Sequence, residues 1–198
     1  MKKLLTLKHW QLFCLLIVLP FILQLIHWSI AIVTMDMKWF FLLFPLVTLL
    51  CMAVYLGWIY TLGTQLVKKL PPGVRMNIGV FKILLAIPAI YITSIAVMIG
   101  FLPEMPALAS DEDAMKTIQL ILPLHLFSMF CMFYSIYFNA KALRSAELKR
   151  KVSFSDFTGE FFLFWFFPVG IWLLQPRINK LFEAAPEREA GPILYRED

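Results

Sequence analysis

Residues 39–67 read WFFLLFPLVTLLCMAVYLGWIYTLGTQLV, a run without a single charged side chain. A helix needs about 20 apolar residues to cross a hydrocarbon core about 30 Å thick, and this run exceeds that length. Residues 10–33, 78–102 and 117–139 meet the same requirement. The whole chain agrees: of 198 residues 61% are hydrophobic and 16% charged, and the mean hydropathy is +0.77. Such a composition leaves too little polar surface for a water-soluble domain. The reading is an all-α membrane protein, with a four-transmembrane-helix bundle over residues 1–140.

Each apolar run carries a proline near its middle: Pro20, Pro45, Pro88 and Pro123. Proline removes a backbone donor and kinks a helix. Lipid tolerates this only where neighbouring helices or hydroxyls cover the freed carbonyl, so the spans are expected to pack together. The run opening with Met1-Lys2-Lys3 is longer than a secretory h-region, and is read as an uncleaved first span.

The connectors set the orientation. Lys2, Lys3 and Lys8 precede the first run, Lys68, Lys69 and Arg75 separate the second from the third, and Lys141, Arg144, Lys149, Arg150 and Lys151 follow the fourth. The other two links are poor in base, the longer one carrying Glu104, Asp111, Glu112 and Asp113 against Lys116. By the positive-inside rule both termini face the cytoplasm, in a cytoplasmic (inner) membrane. The formal charge of +5 lies beside apolar segments, which points to anionic phospholipid rather than to nucleic acid as partner. Lys149, Arg150, Lys151, Arg177 and Lys180 are the expected headgroup contacts.

Residues 141–182 are expected to form a cytoplasmic basic helix followed by a re-entrant or interfacial apolar hairpin. The core of that hairpin, residues 161–174, reads FFLFWFFPVGIWLL. At about 14 residues it is short for a straight crossing, and Pro168 and Gly170 are placed to bend it. Residues 183–198 read as a disordered tail. The stretch AKALRSAELKRKVSFSDFTGEFFLFWFFPVGIWLLQPRINKLF, residues 140–182, resembles the C-terminal block of a group of bacterial integral membrane proteins. The shared wording is Phe154-Ser155-Asp156, Gly159-Glu160-Phe161-Phe162, Trp165 to Pro168, Gly170-Ile171-Trp172, Gln175-Pro176 and Ile178-Asn179. The resemblance implies a membrane protein and brings no activity with it.

Polar side chains inside lipid are functional candidates. The first span offers Gln24 and His27 three residues apart, the fourth offers His125 and Ser128, and Thr48 and Thr93 are hydroxyl partners within reach. Two histidines at similar depth are either b-haem ligands or hydrogen-bonding glue between helices. The flanking leucines 124 and 126 leave little room for a haem ring, so the glue reading is preferred and no cofactor or metal is expected. Asp156 and Glu160 form a cytoplasmic-face pair, read as acids in the first turns of a helix capped by Ser153 or Ser155. Glu147 and Lys151 are spaced for an i,i+4 pair. Cys14, Cys51 and Cys131 share no ligand spacing and read as small apolar residues. Small residues at 53, 57 and 61 and at 131, 135 and 139 mark close helix approach, in the bundle or in a homo-oligomer. Hydrolase signatures are missing. The leading expectation is a non-enzymatic accessory, assembly or scaffolding protein engaging an unidentified membrane partner. The alternatives are a small oligomeric transporter or channel, and a b-haem redox protein using His27 and His125.

Overall fold

The computed structural model describes residues 3–101 and 111–183. Its helices are α1 (Lys3–Thr6), α2 (His9–Phe13), α3 (Leu19–Thr34), α4 (Met37–Leu66), α5 (Ile78–Phe101), α6 (Asp111–Leu148), α7 (Phe154–Trp165) and α8 (Phe167–Phe182). Among the described residues there is no strand. Four stretches of the described residues are long and apolar enough to cross a membrane: His9–Thr34, Lys38–Lys69, Ile78–Phe101 and Met115–Leu148. The protein is an all-α membrane bundle of multi-pass type. The expected tail lies almost entirely outside the described residues, as does most of the acidic loop.

Local chemistry explains the breaks. Between α2 and α3 the helix widens into a π turn, Cys14–Val18, in which the Leu19 N–H reaches back to the Cys14 carbonyl. Pro20 follows directly, and the wider turn accommodates the carbonyl that its ring would otherwise strike. Met35 closes α3 in the left-handed region, and Asp36 caps α4 by accepting from the Lys38 N–H at 2.9 Å. Val74 N–H donates to Pro71 O at 3.2 Å across a turn in which Gly73 has φ 87°. That is a type II turn, which wants proline second and glycine third. Lys149, at φ 50°, ends α6. Lys151 therefore leaves the helix, and the expected Glu147–Lys151 pair gives way to other partners.

The helices pack in a ring. α3 lies on α4, α4 on α5 and on α6, and α5 on α6. α7 packs on α6, α8 on α7, and α8 in turn on α1 and α2. The α7–α8 hairpin thus closes the gap between the first long helix and the fourth, at the end of the bundle bearing Lys68, Lys69 and Lys149, the basic end. Its tip rests against the bundle where Trp165 meets Phe133 (ring centroids 4.4 Å) and Phe167 meets Tyr55 (5.0 Å). Phe133 lies about 20 Å up α6 from Glu147. The hairpin therefore stops partway along the bundle.

The bend falls at Phe166 (φ −87°, ψ 54°), earlier than Pro168 and Gly170 suggested. Proline is at home in the first turn of a helix, where its missing N–H would have no partner, and Pro168 sits there in α8. Gly170 serves the bend differently: a Cβ at this position would collide with the Leu163 carbonyl. It lets the start of α8 lie directly against the end of α7.

The core gathers at the basic end. Trp58, Phe81, Phe138, Phe157 and Phe164 are almost wholly enclosed. Phe81 stacks on Phe138 at 4.4 Å, and Trp58 meets Phe164 at 5.6 Å. The small-residue stripe Cys131, Ser135 and Asn139 is buried inside the bundle. Opposite it, Gly63 leaves room for the Phe81 ring and the Asn139 side chain, which settles that stripe as intramolecular packing. The other stripe is mixed, with Thr61 buried and Ala53 exposed.

Candidate functional site

Three helices meet at a cluster of opposite charges. Arg177 on α8 forks onto Glu147 of α6, Nε to Oε1 at 2.7 Å and Nη2 to Oε2 at 2.5 Å. Nη2 also reaches Glu160 Oε1 of α7 at 2.6 Å. Arg144, one turn before Glu147, approaches both glutamates, at 3.5 and 4.0 Å, and donates from Nε to the Asp156 carbonyl at 3.1 Å. Two arginines balance two glutamates, and the Glu160 side chain is only 9% exposed. A guanidinium suits this post because its rigid fork serves two carboxylates at once. Its hydrogen bond to Glu147, then that to Glu160, hold Arg177 more firmly protonated than an ordinary arginine, against the effect of burial.

Beside this collar Ser153 and Asp156 form a capping box at the start of α7. The Asp156 carboxylate accepts from the Ser153 N–H at 2.8 Å and pairs with Arg150 at 3.0 Å. The Arg150 hydrogen bond, followed by those from Ser153, lowers the Asp156 pKa to about 2. Asp156 and Glu160, a pair by spacing, therefore serve different fasteners: one caps a helix and the other binds a neighbouring helix.

A second fastening ties down the N-terminus. The Gln175 amide nitrogen lies 3.3 Å from Leu4 O, 3.4 Å from Leu5 O and 3.0 Å from Leu7 O. Asn179 Nδ2 adds a bond to Leu7 O at 3.1 Å. The last carbonyls of a helix lack intrahelical partners, and these two side chains, one turn apart on α8, serve those at the end of α1. Gln175 is fully buried. Sequence reading missed Gln175, Asn179, Arg144 and the part played by Glu147. The available signal was Gln175 and Asn179 at i,i+4 on the face of α8 that also carries Ile171, Leu174 and Ile178.

The intramembrane candidates divide into two groups. Gln24 Nε2 lies 3.0 Å from His27 Nδ1. His27 is 1% exposed, packs 5.0 Å from the Phe40 ring, and leaves Nε2 without a partner. Thr48 lines the same groove as Gln24, between α3 and α4. On the other side His125 is exposed and sits 3.2 Å from the Tyr91 hydroxyl. Thr93 donates to Ala89 O at 2.7 Å, and Ser128 is buried on α6. The structure brings Gln24, His27 and Thr48 together and leaves Thr93, His125 and Ser128 with α5 and α6. Among the basic residues, Arg150 and Arg177 are engaged within the protein, while Lys149, Lys151 and Lys180 are exposed.

A cavity of about 360 Å³ lies over the hairpin tip, walled by Leu16, Cys51, Met52, Tyr55, Met129, Met132, Phe133, Ile136, Trp165 and Phe167. Its wall is almost entirely apolar. Comparison with protein-family models, with curated proteins and with solved structures finds no match to this chain.

Proposed function

We propose that this is a multi-pass protein of a bacterial inner membrane with both termini in the cytoplasm, acting as a non-enzymatic accessory, assembly or scaffolding protein through its hairpin. On this reading α7 enters the membrane from the cytoplasmic side and α8 returns to it. The lysine and arginine distribution supports the orientation. The pairing of Arg177 with Glu147 supports the return, because it ties the far limb of the hairpin to the end of α6.

The observation that carries the role is the use made of the polar groups at the basic end. Arg144, Glu147, Glu160, Arg177, Gln175 and Asn179 make hydrogen bonds that hold α1, α6, α7 and α8 to one another. What that platform presents outward is an apolar surface of Phe162, Trp165, Phe166, Val169, Trp172 and Leu173. Large exposed apolar patches framed by polar groups mark sites of membrane or protein interaction.

A photo-crosslinking side chain placed at Val169 or Trp172 in living cells tests this role. The expected result is a discrete protein adduct, lost when Arg177→Ala loosens the hairpin and not formed from Ile90 on α5. Equal adducts from Val169, Trp172 and Ile90, or none from the hairpin while the purified protein conducts solute flux in proteoliposomes, would contradict the role.

A further inference from the structure

We infer that the cavity over the hairpin tip and the groove between α3 and α4 form one binding site for a neutral membrane lipid with a hydrogen-bond-accepting head, of the quinone class. The two hollows, about 360 and about 400 Å³, share Leu16, Cys51 and Met52 in their walls. They meet beside the π turn. One end is almost entirely apolar, with Met129, Met132 and Trp165. Methionines are adaptable and polarisable, suited to a flexible chain. The other end carries Gln24 and Thr48.

Those two side chains make the site more than a crevice for acyl tails. Elsewhere in the long helices most hydroxyls turn inward on their own backbone: Ser29, Thr34, Thr61, Thr93, Ser94 and Ser135 each donate to the carbonyl four residues back, while Ser145, which has no partner, is sealed inside the bundle and faces no groove. Thr48 makes no hydrogen bond among the described residues, although it faces a lipid-depth groove. Gln24 is steadied by His27: with the imidazole Nδ1 accepting one amide proton, the second amide N–H is directed to other acceptors. An unmet polar group in hydrocarbon is costly, so a head offering two acceptors gains what bulk acyl chains cannot.

Depth narrows the class. Gln24 lies about 15 Å from the Thr34 end of α3, half of a hydrocarbon core about 30 Å thick. A charged or zwitterionic headgroup is expensive there, which excludes phospholipid heads and leaves an uncharged one. A quinone carries two carbonyl acceptors, one for Gln24 and one for Thr48, and a tail able to run past Cys51 and Met52 to the hairpin tip. The inference concerns binding alone and does not depend on the scaffolding role.

The test uses the full-length protein, purified and incubated with decylubiquinone or with decylbenzene, and bound ligand counted by native mass spectrometry. The expected result is saturable binding of one decylubiquinone, at least ten-fold tighter than decylbenzene. The isosteric changes Thr48→Val and Gln24→Leu should each weaken it several-fold, and Met132→Trp should block it by filling the cavity, with the folded state of each variant checked by its thermal midpoint. Binding of decylbenzene as tight as that of the quinone, unsaturable partitioning of both, or quinone binding unchanged in folded Gln24→Leu or Thr48→Val protein would overturn the inference.

Discussion

The two ends of the bundle are built by different means. At the basic end α1, α4, α6, α7 and α8 enclose a core in which Trp58 and Phe164 are fully buried, bordered by the Arg177 collar and the Gln175 anchor. From mid-span to the other end the long helices turn large apolar residues outward, with Phe21 63%, Ile90 66%, Phe130 71% and Val33 82% exposed. In water the second pattern would be untenable. In a bilayer it costs little, because lipid tails are as apolar as leucine and helices gain no hydrophobic drive by meeting. The contrast teaches that a membrane bundle is tight where steric fit and polar fasteners make it so, and that hydropathy alone does not say where.

The largest expected effect separates the two ends directly. Trp58→Ala empties a closed site and should cost about 3–4 kcal/mol, whereas Ile90→Ala, on a lipid-facing surface, should change stability by less than about 0.5 kcal/mol. Unfolding in a mixed detergent reads both, and similar losses would erase the distinction. Next comes the collar: Arg177→Ala strands Glu147 and Glu160 partly buried and should cost about 3 kcal/mol. Adding Glu160→Gln to that variant should recover part of the loss, since one of the uncompensated charges is then gone. If the second change deepens the loss instead, the collar is not held by charge balance.

The smallest effect is a pH dependence at the α7 cap. The folded Asp156 pKa, about 2, lies below its ordinary value of 3.8. Its contribution is therefore present above pH about 4 and is lost as pH falls from there toward 2. Asp156→Asn should be less stable than the parent at neutral pH and should converge with it across that interval. Curves that stay parallel would remove Asp156 from the account of the cap.

The spans were legible because length and apolarity are demanded by the bilayer. The expected residues 10–33 and 78–102 fall within a residue or so of His9–Thr34 and Ile78–Phe101. The cap at Ser153, one of the two serines expected to start α7, was legible for a similar reason, since it is local chemistry. The collar was not, because Arg177 and Glu147 are 30 residues apart and no periodicity joins them. The bend was misplaced because Pro168 was read as a breaker, whereas at the second position of a helix it acts as a starter. Thr48 was visible as a polar residue in a span. That its hydroxyl lacks a backbone partner and faces a groove with Gln24 only the packed helices reveal.

The central claim is that the hairpin is fastened at both of its ends to one face of the membrane. Single cysteines at Lys151 and Glu183, both exposed, in a chain from which Cys14, Cys51 and Cys131 have been removed, test it with a membrane-impermeant thiol reagent. Neither position should label in intact cells, and both should label in inverted vesicles. Labelling at position 183 from outside intact cells, with position 151 still protected, would place α8 across the membrane and contradict it.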